Sequence, residues 1–198
     1  MALPKTETFT TDTSDKALAT YDANWVVKQG GYIVRQATDV CECNGTAEGE
    51  YAAWTGDTFN ADQYSKGTLK SAGGGNFMGV AVRIPSSGDG GYYFFANAGG
   101  TDSYFGYFDA TGTPNDIGAN RGAFAVNDVI EIQVTGTTFS LRKNGSEIAS
   151  VSDSTYSSGY AGISSYQGNT LQIDDVEMGN MGGGPTPLTF EGTDNLNA

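Results

Sequence analysis

The 198-residue chain contains no histidine and only two cysteines, and these shortages exclude several kinds of active site. Without histidine there is no Ser–His–Asp or Cys–His catalytic centre, and most zinc hydrolase sites lose a principal ligand. The two cysteines, Cys41 and Cys43, are separated by one residue, a spacing at which a disulfide would be strained. A zinc site would need further soft ligands that the chain does not have. The sequence therefore predicts two free, structural thiols.

Basic residues and long apolar runs are also scarce. Ten Lys and Arg stand against 23 Asp and Glu, so the net charge is 10 − 23 = −13. Such a chain repels phosphate backbones and anionic lipids, so nucleic acid and membrane surfaces are poor partners. No stretch approaches the ~20 apolar residues of a membrane helix, and residues 1–6 lack the apolar segment of a secretory signal. We therefore expect a protein that stays in the cytosol or leaves by assembly or lysis, with a removed signal as the alternative.

Glycine and aromatic residues, in contrast, are abundant, with 29 glycines and 12% aromatic residues. Short alternating segments recur about every 8–12 residues between turn residues, and no segment keeps a helical period. Residues 129–134 and 138–142 alternate around the turn Thr135-Gly136, and Asn144-Gly145 predicts the next hairpin. From these patterns we predict locally paired strands through residues 128–180. The predicted fold is all-β, a two-sheet antiparallel β-sandwich of the jelly-roll type.

Three local features lead to more specific structural predictions. Gly30-Gly31 lies between two apolar segments, residues 25–27 and 32–34, and predicts a hairpin. Alternation breaks at Asp174-Asp175, which predicts a β-bulge with one carboxylate turned toward a buried or rim position. Arg83 interrupts an apolar strand, so we expect it to pair with a carboxylate such as Asp175 or to reach a concave face.

The two ends of the chain differ from its middle. Residues 1–8 are predicted to form an N-terminal arm, residues 9–180 the sandwich, and residues 181–198 a Gly/Pro linker followed by a C-terminal arm. Such an arm is either a disordered tail or a segment that adds to a neighbour's sheet edge. On the second interpretation the protein is oligomeric or part of an assembly.

Several of these features together match a known superfamily. They are spread over about residues 9–180: Phe9 with Asp12 and Leu18, Trp25 before Gly30-Gly31, residues 62–65, residues 79–83 before Tyr92-Tyr93, Asn144-Gly145, Asp153, Gly159 with Gly162-Ile163, and residues 174–179. In their order and spacing the chain resembles the concanavalin A-like lectin/glucanase superfamily. It is most similar to the laminin-G-like domains of bacterial extracellular proteins and phage virion proteins. The resemblance implies a jelly roll that is frequently a carbohydrate binder, sometimes an enzyme, and in phages often a capsid- or tail-decorating protein.

Glucanases of this superfamily carry E-x-D-x-x-E on one strand, so that two carboxylates flank the scissile bond. The nearest match is residues 172–177, where Gln172 stands in the position of the nucleophile. An amide cannot form the glycosyl ester or act as a base. Glu131 and Glu147 are isolated carboxylates on predicted solvent faces. We therefore predict no catalytic residues, and a hydrolase dependent on Glu177 is the least favoured alternative.

A sugar-binding site is predicted in residues 92–109, where aromatic rings lie beside polar side chains. Rings offer apolar contact to the C–H faces of sugars, and polar groups bind the hydroxyls. The candidate carbohydrate-binding residues are Tyr93, Tyr104, Tyr107, Asn97 and Asp102. About half of the rings must face the core, because side chains alternate along a strand.

No cofactor is predicted, although a structural calcium ion stays open. Calcium takes six to eight oxygen ligands, and Asp102, Asp109 and Asp116 lie on predicted loops that could supply some of them.

The function expected from the sequence is a non-catalytic, lectin-like structural protein of a phage virion surface, in capsid decoration or in the tail. Its partners would be capsid or tail proteins, bound through the terminal arms, with weak binding to a cell-surface glycan. The alternative is a free-standing, extracellular carbohydrate-binding module.

Overall fold

The computed structural model describes residues 3–11, 14–72, 75–87, 89–168 and 170–182. These residues form one four-residue helix, α1 (Leu18–Tyr21), and short strands. The strands are β1 (Lys5–Glu7), β2 (Lys16–Ala17), β3 (Trp25–Gln29), β4 (Tyr32–Arg35), β5 (Val40–Cys43), β6 (Glu50–Trp54), β7 (Gln63–Leu69), β8 (Phe77–Ile84), β9 (Gly91–Ala96), β10 (Ser103–Phe108), β11 (Pro114–Asp116), β12 (Val129–Thr135), β13 (Thr138–Lys143), β14 (Ser146–Ser152), β15 (Tyr160–Tyr166) and β16 (Gln172–Asn180). No helix in these ranges has the length or apolar character to cross a lipid bilayer.

The strands form two antiparallel sheets, which confirms the predicted all-β sandwich. Sheet A has nine strands in the order β14-β13-β12-β7-β16-β5-β4-β2, and β1 also pairs with β16. Sheet B has seven strands in the order β11-β10-β9-β8-β15-β6-β3. Local pairing beyond β14 was wrongly predicted, because β15 inserts between β8 and β6 and β16 lies between β7 and β5. Turn residues specify hairpins, whereas strand placement after longer connections depends on the whole core.

The main core lies between the two sheets and is rich in aromatic rings. Trp25 and Trp54 meet edge to face with ring centroids 5.6 Å apart. The ring of Tyr92 in sheet B contacts that of Phe139 in sheet A, with centroids 4.3 Å apart. Each buried large side chain contributes about 1.5–3 kcal/mol to the free energy of unfolding, so these rings are a main stabiliser of the sandwich.

The predicted bulge in β16 is confirmed. The pairing register with β7 shifts between Asp174 and Glu177, and Asp175 has a φ of 49°. The extra residue returns the second half of the strand to the core face, so the apolar side chains on both sides of the bulge are buried: Leu171, Ile173, Val176 and Met178. Asp175 is exposed, whereas Asp174 is half-buried, and burial raises the pKa of Asp174. One carboxylate therefore occupies a half-buried position, as the sequence predicts.

The predicted hairpin around Gly30-Gly31 is wrong. β3 pairs with β6 in sheet B, whereas β4 pairs with β5 in sheet A. Gly30 has a φ of 80°, and a Cβ there would lie 2.5 Å from Cγ of the buried Glu50. The glycine pair therefore carries the chain from one sheet to the other in a place where no side chain fits.

The first residues of the predicted N-terminal arm are part of the sandwich. Lys5 pairs with Met178 and Glu7 with Val176 in the β1–β16 ladder. The Tyr21 hydroxyl donates a 2.7 Å hydrogen bond to Glu7. Residues 5–7 are therefore an integral strand, contrary to the prediction. The other parts of the predicted arms, residues 1–2 and 183–198, lie outside the described residues.

Both cysteines are buried free thiols, which confirms the prediction. The Cys43 thiol donates a 2.7 Å hydrogen bond to Oε2 of Glu50, whose side chain is also completely buried. Burial raises the pKa of Cys43 to about 12, and the hydrogen bond to Glu50 adds to the effect. At neutral pH this thiol is a hydrogen-bond donor and not a nucleophile.

Candidate functional site: an aromatic cleft on sheet B

Sheet B carries a second apolar cluster on its outer face. Along β9, Tyr92 and Phe94 point into the main core, so Tyr93 and Phe95 point outward. The buried members of the outer cluster are Tyr51, Ala53, Ala81, Ile84, Tyr93, Phe95 and Phe108. Residues 91–96 therefore form an uninterrupted apolar strand because both of its faces are covered.

One end of this outer cluster is closed by loops. Tyr51 stacks on Phe108 with ring centroids 4.4 Å apart and planes 12° apart. The Tyr51 hydroxyl donates a 2.8 Å hydrogen bond to Asp89 in the loop between β8 and β9. The Tyr156 hydroxyl donates to the carbonyl oxygen of Phe108 at 2.8 Å. These contacts close that end of the sheet face and leave the other end open.

The open end is a cleft of about 380 Å³ with an aromatic floor. The floor consists of Tyr104, Phe95, Phe77 and Tyr166, one ring from each of the adjacent strands β10, β9, β8 and β15. The Phe77 ring centroid lies 5.4 Å from that of Phe95, 5.5 Å from Tyr104 and 6.1 Å from Tyr166. The rings are thus grouped around Phe77, and the centroids of the outer rings, Tyr104 and Tyr166, are at most about 12 Å apart.

The walls of the cleft are polar and acidic. They are formed by Glu48, Thr113, Pro114 and Asp116. Glu48 precedes β6 and Asp116 ends β11, so the two carboxylates come from opposite sides of the floor in strand order. Asp116 Oδ1 accepts a 2.7 Å hydrogen bond from the Tyr93 hydroxyl. Burial raises the pKa of Tyr93, and the Asp116 carboxylate raises it further, so this hydroxyl stays a donor.

This arrangement suits an amphipathic ligand. The rings can contact an apolar face, while the wall carboxylates and hydroxyl can accept hydrogen bonds from the ligand's polar edge. The Phe77 ring meets those of Phe95, Tyr104 and Tyr166 at interplanar angles of 46°, 66° and 75°, so the floor is an uneven apolar surface and not a flat platform. Phe95 is 3% exposed, so the exposed ring area comes mainly from the other three residues.

Of the five predicted carbohydrate-binding residues, Tyr104 alone lines this cleft. Tyr93 lies beside Phe95 on the same face of β9, with ring centroids 4.4 Å apart, and it is fully buried, so it presents no ring face to the cleft. Tyr107 points to the other side of β10, where its ring contacts Tyr92 and Tyr156. Tyr104 and Tyr107 therefore lie on opposite faces of β10, and carbohydrate binding by Tyr107 stays a prediction.

The two polar candidates belong to the turn between β9 and β10. Asn97 is 8% exposed, and its backbone N–H donates to the carbonyl oxygen of Asp102 at 2.9 Å. The Asp102 carboxylate accepts hydrogen bonds from Asn120 and Thr101. These contacts order the turn, and neither residue lines the cleft.

Sequence reasoning missed Phe77, Phe95 and Tyr166 as site residues. Alternation along β9 places Phe95 on the same face as Tyr93, and that signal was available. The pairing of Phe95 with Tyr104 and of Phe77 with Tyr166 depends on strand register and sheet order, which the residue types do not specify.

The three aspartates considered for calcium are engaged separately. Asp109 accepts hydrogen bonds from the backbone N–H groups of Thr111 and Thr113 at 2.8 and 3.1 Å and closes a turn. Asp102 and Asp116 have the partners given above. In the ranges that the structure describes, no three or more Asp, Glu, Cys or His side chains are grouped to hold a metal ion.

The stretch that resembles the glucanase motif lies on the outer face of sheet A. Oε1 of Glu177 accepts a 2.6 Å hydrogen bond from the Tyr64 hydroxyl and forms an ion pair with Nζ of Lys66 at 3.1 Å. Burial raises the pKa of Glu177, but these two partners outweigh it and lower the value, so the carboxylate is ionised at neutral pH. A glycosidase acid needs a raised pKa, and Gln172 provides no nucleophile.

Neither a protein-family profile nor a curated protein sequence matches this chain. Several solved structures share its fold. The carbohydrate binding module CBM66 from Bacillus subtilis superimposes with a TM-score of 0.56 at 12% identity, over 79% of this chain and 92% of that one. The exoplasmic/lumenal domain of VIP36, in its Ca²⁺/Man3GlcNAc-bound form, superimposes with a TM-score of 0.53 at 11% identity, over 83% of this chain and 86% of that one.

An enzyme shares the fold as well. The apo Crh5 transglycosylase superimposes with a TM-score of 0.57 at 13% identity, over 91% of this chain and 85% of that one. At these identities the likeness is one of fold alone. The chain therefore has the jelly-roll sandwich fold that a carbohydrate binding module, the VIP36 domain and a transglycosylase also adopt.

Proposed function

We propose that this protein is a non-catalytic glycan-binding domain whose binding surface is the aromatic cleft on sheet B. The observation that carries the proposal is the floor of four rings from adjacent strands, with hydrogen-bonding groups along its edge. A sugar ring can stack its C–H face on such a floor while its hydroxyls reach Glu48, Thr113 and Asp116. The likeness to a carbohydrate binding module and to a domain solved with Man3GlcNAc supports the proposal.

The likeness to a transglycosylase supports the enzymatic alternative. Catalysis on glycans requires a carboxylic acid that holds its proton and a second carboxylate as nucleophile or base. In the stretch that resembles the motif, Gln172 replaces the nucleophile and Glu177 is kept ionised by Tyr64 and Lys66. The stretch that resembles the motif therefore holds no pair of catalytic carboxylates. The alternative predicts product release that is lost in Glu177→Gln.

The proposal is tested by substituting one ring of the floor. Tyr104→Ala should weaken binding of a responsive oligosaccharide about tenfold, because the lost apolar contact corresponds to roughly 1.5 kcal/mol. Binding is measured by calorimetric titration, after a panel of neutral, amino and acidic oligosaccharides has identified ligands. The matched control is Tyr64→Ala, a half-buried tyrosine on the outer face of sheet A. A panel without any binding, or equal affinities for the two variants, would contradict the proposal.

A location on a virion surface stays a prediction from the resemblance. It rested partly on two terminal arms, and residues 5–7 of the first arm form β1. Residues 183–198 of the second lie outside the described residues. An extracellular location, as a free-standing carbohydrate-binding module, is the alternative that also accommodates the cleft.

A further inference from the structure

The two carboxylates at the cleft lack a basic partner, whereas most acids on the strands of sheet A have one. The pairs on sheet A include Glu7 with Lys5, Glu42 with Arg35, Glu131 with Arg142, and Glu177 with Lys66. Glu48 and Asp116 are exposed, and neither forms an ion pair with a basic residue of the described ranges. The described residues that line the cleft also include no lysine or arginine. The cleft is therefore an aromatic surface with uncompensated negative charge at both sides.

This charge pattern discriminates among glycans. A uronic acid or a sulfated sugar would bring a second negative charge between Glu48 and Asp116, and like charges repel. A sugar with a protonated amine would place a cation near two carboxylates and above aromatic faces, and both attract it. The amine of an amino sugar lies at the edge of the pyranose ring, so the C–H face is still free to stack.

On the basis of the proposed function, we infer that the cleft selects glycans whose sugars carry free, protonated amines over neutral and acidic glycans. The ligand class is an oligosaccharide of 2-amino-2-deoxyhexose units that are not N-acetylated. Tyr104, Phe77 and the other rings supply stacking, which all three glycan classes can use. Glu48 and Asp116 supply the discrimination, because only a protonated amine is attracted to their carboxylates.

The expected preference is modest because both carboxylates are exposed to water. An exposed ion pair changes an affinity by up to about fivefold. With one amine near each carboxylate, the glucosamine oligomer should bind roughly tenfold more tightly than its N-acetylated counterpart. Salt should reduce this preference, because the screening length at physiological ionic strength is about 8 Å.

The experiment titrates the full chain with three hexasaccharides: glucosamine, N-acetylglucosamine and galacturonate, at a pH at which the amines are protonated. We expect the stated order of affinity, amine first and galacturonate last. In the isosteric double variant Glu48→Gln/Asp116→Asn the ratio between the first two should fall to near one. Glu147→Gln removes an exposed carboxylate on sheet A and should keep the ratio. A ratio unaffected by the double variant would overturn the inference.

Two further arms separate this inference from simpler explanations. Trilysine tests for general attraction to an acidic protein, and binding as tight as that of the amino sugar would overturn the inference. Tyr104→Ala separates the inference from the proposed function. If the N-acetylated oligomer binds as tightly as the amine and Tyr104→Ala weakens both, the inference fails and the proposed function stands. If no hexasaccharide binds, or Tyr104→Ala has no effect, the proposed function fails as well.

Discussion

The Arg83 guanidinium lies between the sheets, where it is 2% exposed. It donates hydrogen bonds to the backbone carbonyl oxygens of Ala61, Tyr156 and Gly136 at 3.0, 3.1 and 2.6 Å. Its Nη2 lies 3.9 Å from Oδ1 of Asp62, so the predicted pairing with a carboxylate is confirmed, but the partner is Asp62 and not Asp175. Because the guanidinium is planar and has several donors, it can bind carbonyl groups from three connections at once and hold them together. A single ion pair with one carboxylate would not link them.

Replacing Arg83 by methionine should therefore cost about 3 kcal/mol in the free energy of unfolding. The methionine keeps most of the apolar stem, but the carbonyl oxygens of three connections lose their donor, and an unsatisfied buried acceptor costs about 1–3 kcal/mol. The measurement is urea denaturation. Arg142→Met, at a partly exposed site on sheet A, is the matched control and should cost under about 1 kcal/mol. Equal losses in the two variants would contradict the role given to Arg83.

At the scale of the strand, β1 shows that the first residues stabilise the sandwich. β1 pairs with β16, and two of its side chains make further contacts. Lys5 Nζ lies 4.2 Å from the centroid of the Trp54 ring, and the Glu7 carboxylate accepts a hydrogen bond from the Tyr21 hydroxyl. The strand thus connects sheet A to a core tryptophan of sheet B. An arm that served only for attachment would not make these contacts.

Deletion of residues 1–7 should lower the free energy of unfolding by about 2–4 kcal/mol. The estimate combines the lost strand pairs, the cation–π contact and the Tyr21 hydrogen bond. Chemical denaturation of the purified protein measures it. A shorter deletion, of residues 1–4, leaves the contacts of β1 in place and should cost clearly less. If both deletions have the same effect, β1 does not contribute as described.

The strands also show which parts of the fold can be predicted from sequence. The hairpins at Gly136 and Gly145 and the bulge at Asp175 were predicted because each is specified by residues in direct succession. The transition at Gly30 uses the same residue types as a hairpin turn, so the local pattern could not distinguish the two. Which sheet receives a strand depends on core packing between distant segments.

At the scale of the molecule, buried groups that would ionise at high pH should make the fold sensitive to alkali. Burial raises the pKa of both Cys43 and Tyr92 to about 12, and hydrogen-bonded carboxylates add to each shift. Between the ordinary pKa of a thiol, about 9, and the folded value, the unfolded chain has released the proton and the folded chain still holds it. Because the unfolded state then binds fewer protons, stability must fall as the pH rises.

We expect the free energy of unfolding to be constant near neutral pH and to decrease above about pH 9, by up to ~1.4 kcal/mol per pH unit for each such group. Urea denaturation at a series of pH values measures the slope. Cys43→Ser keeps a hydrogen-bond donor to Glu50 but removes the titrating thiol, so its slope between pH 9 and 10 should be smaller. A wild-type profile that is flat through this range would contradict the assignment.

The location of the cleft is likewise a property of the molecule as a whole. Alternation along β9 shows that Tyr93 and Phe95 share one face, and this much is readable from the sequence. Loops close the end of that face near Tyr51 and leave the end near Phe77 open. The extent of loop coverage follows from the arrangement of distant connections, so the sequence pattern alone predicts an accessible ring for Tyr93, which the structure buries.

The rings beside the cleft have a consequence for how it would bind. Phe95 stacks against Tyr93 on the same face of β9, and Tyr93 in turn contacts Phe108, so the floor continues into a row of buried side chains. A surface that is already rigid loses little conformational freedom on association, so more of the contact energy remains as affinity. The same row contributes to folding, so a substitution that reshapes the floor will also shift the melting temperature. Substitutions that change the ligand specificity of the floor are therefore tolerated only as far as the thermal stability of the protein allows.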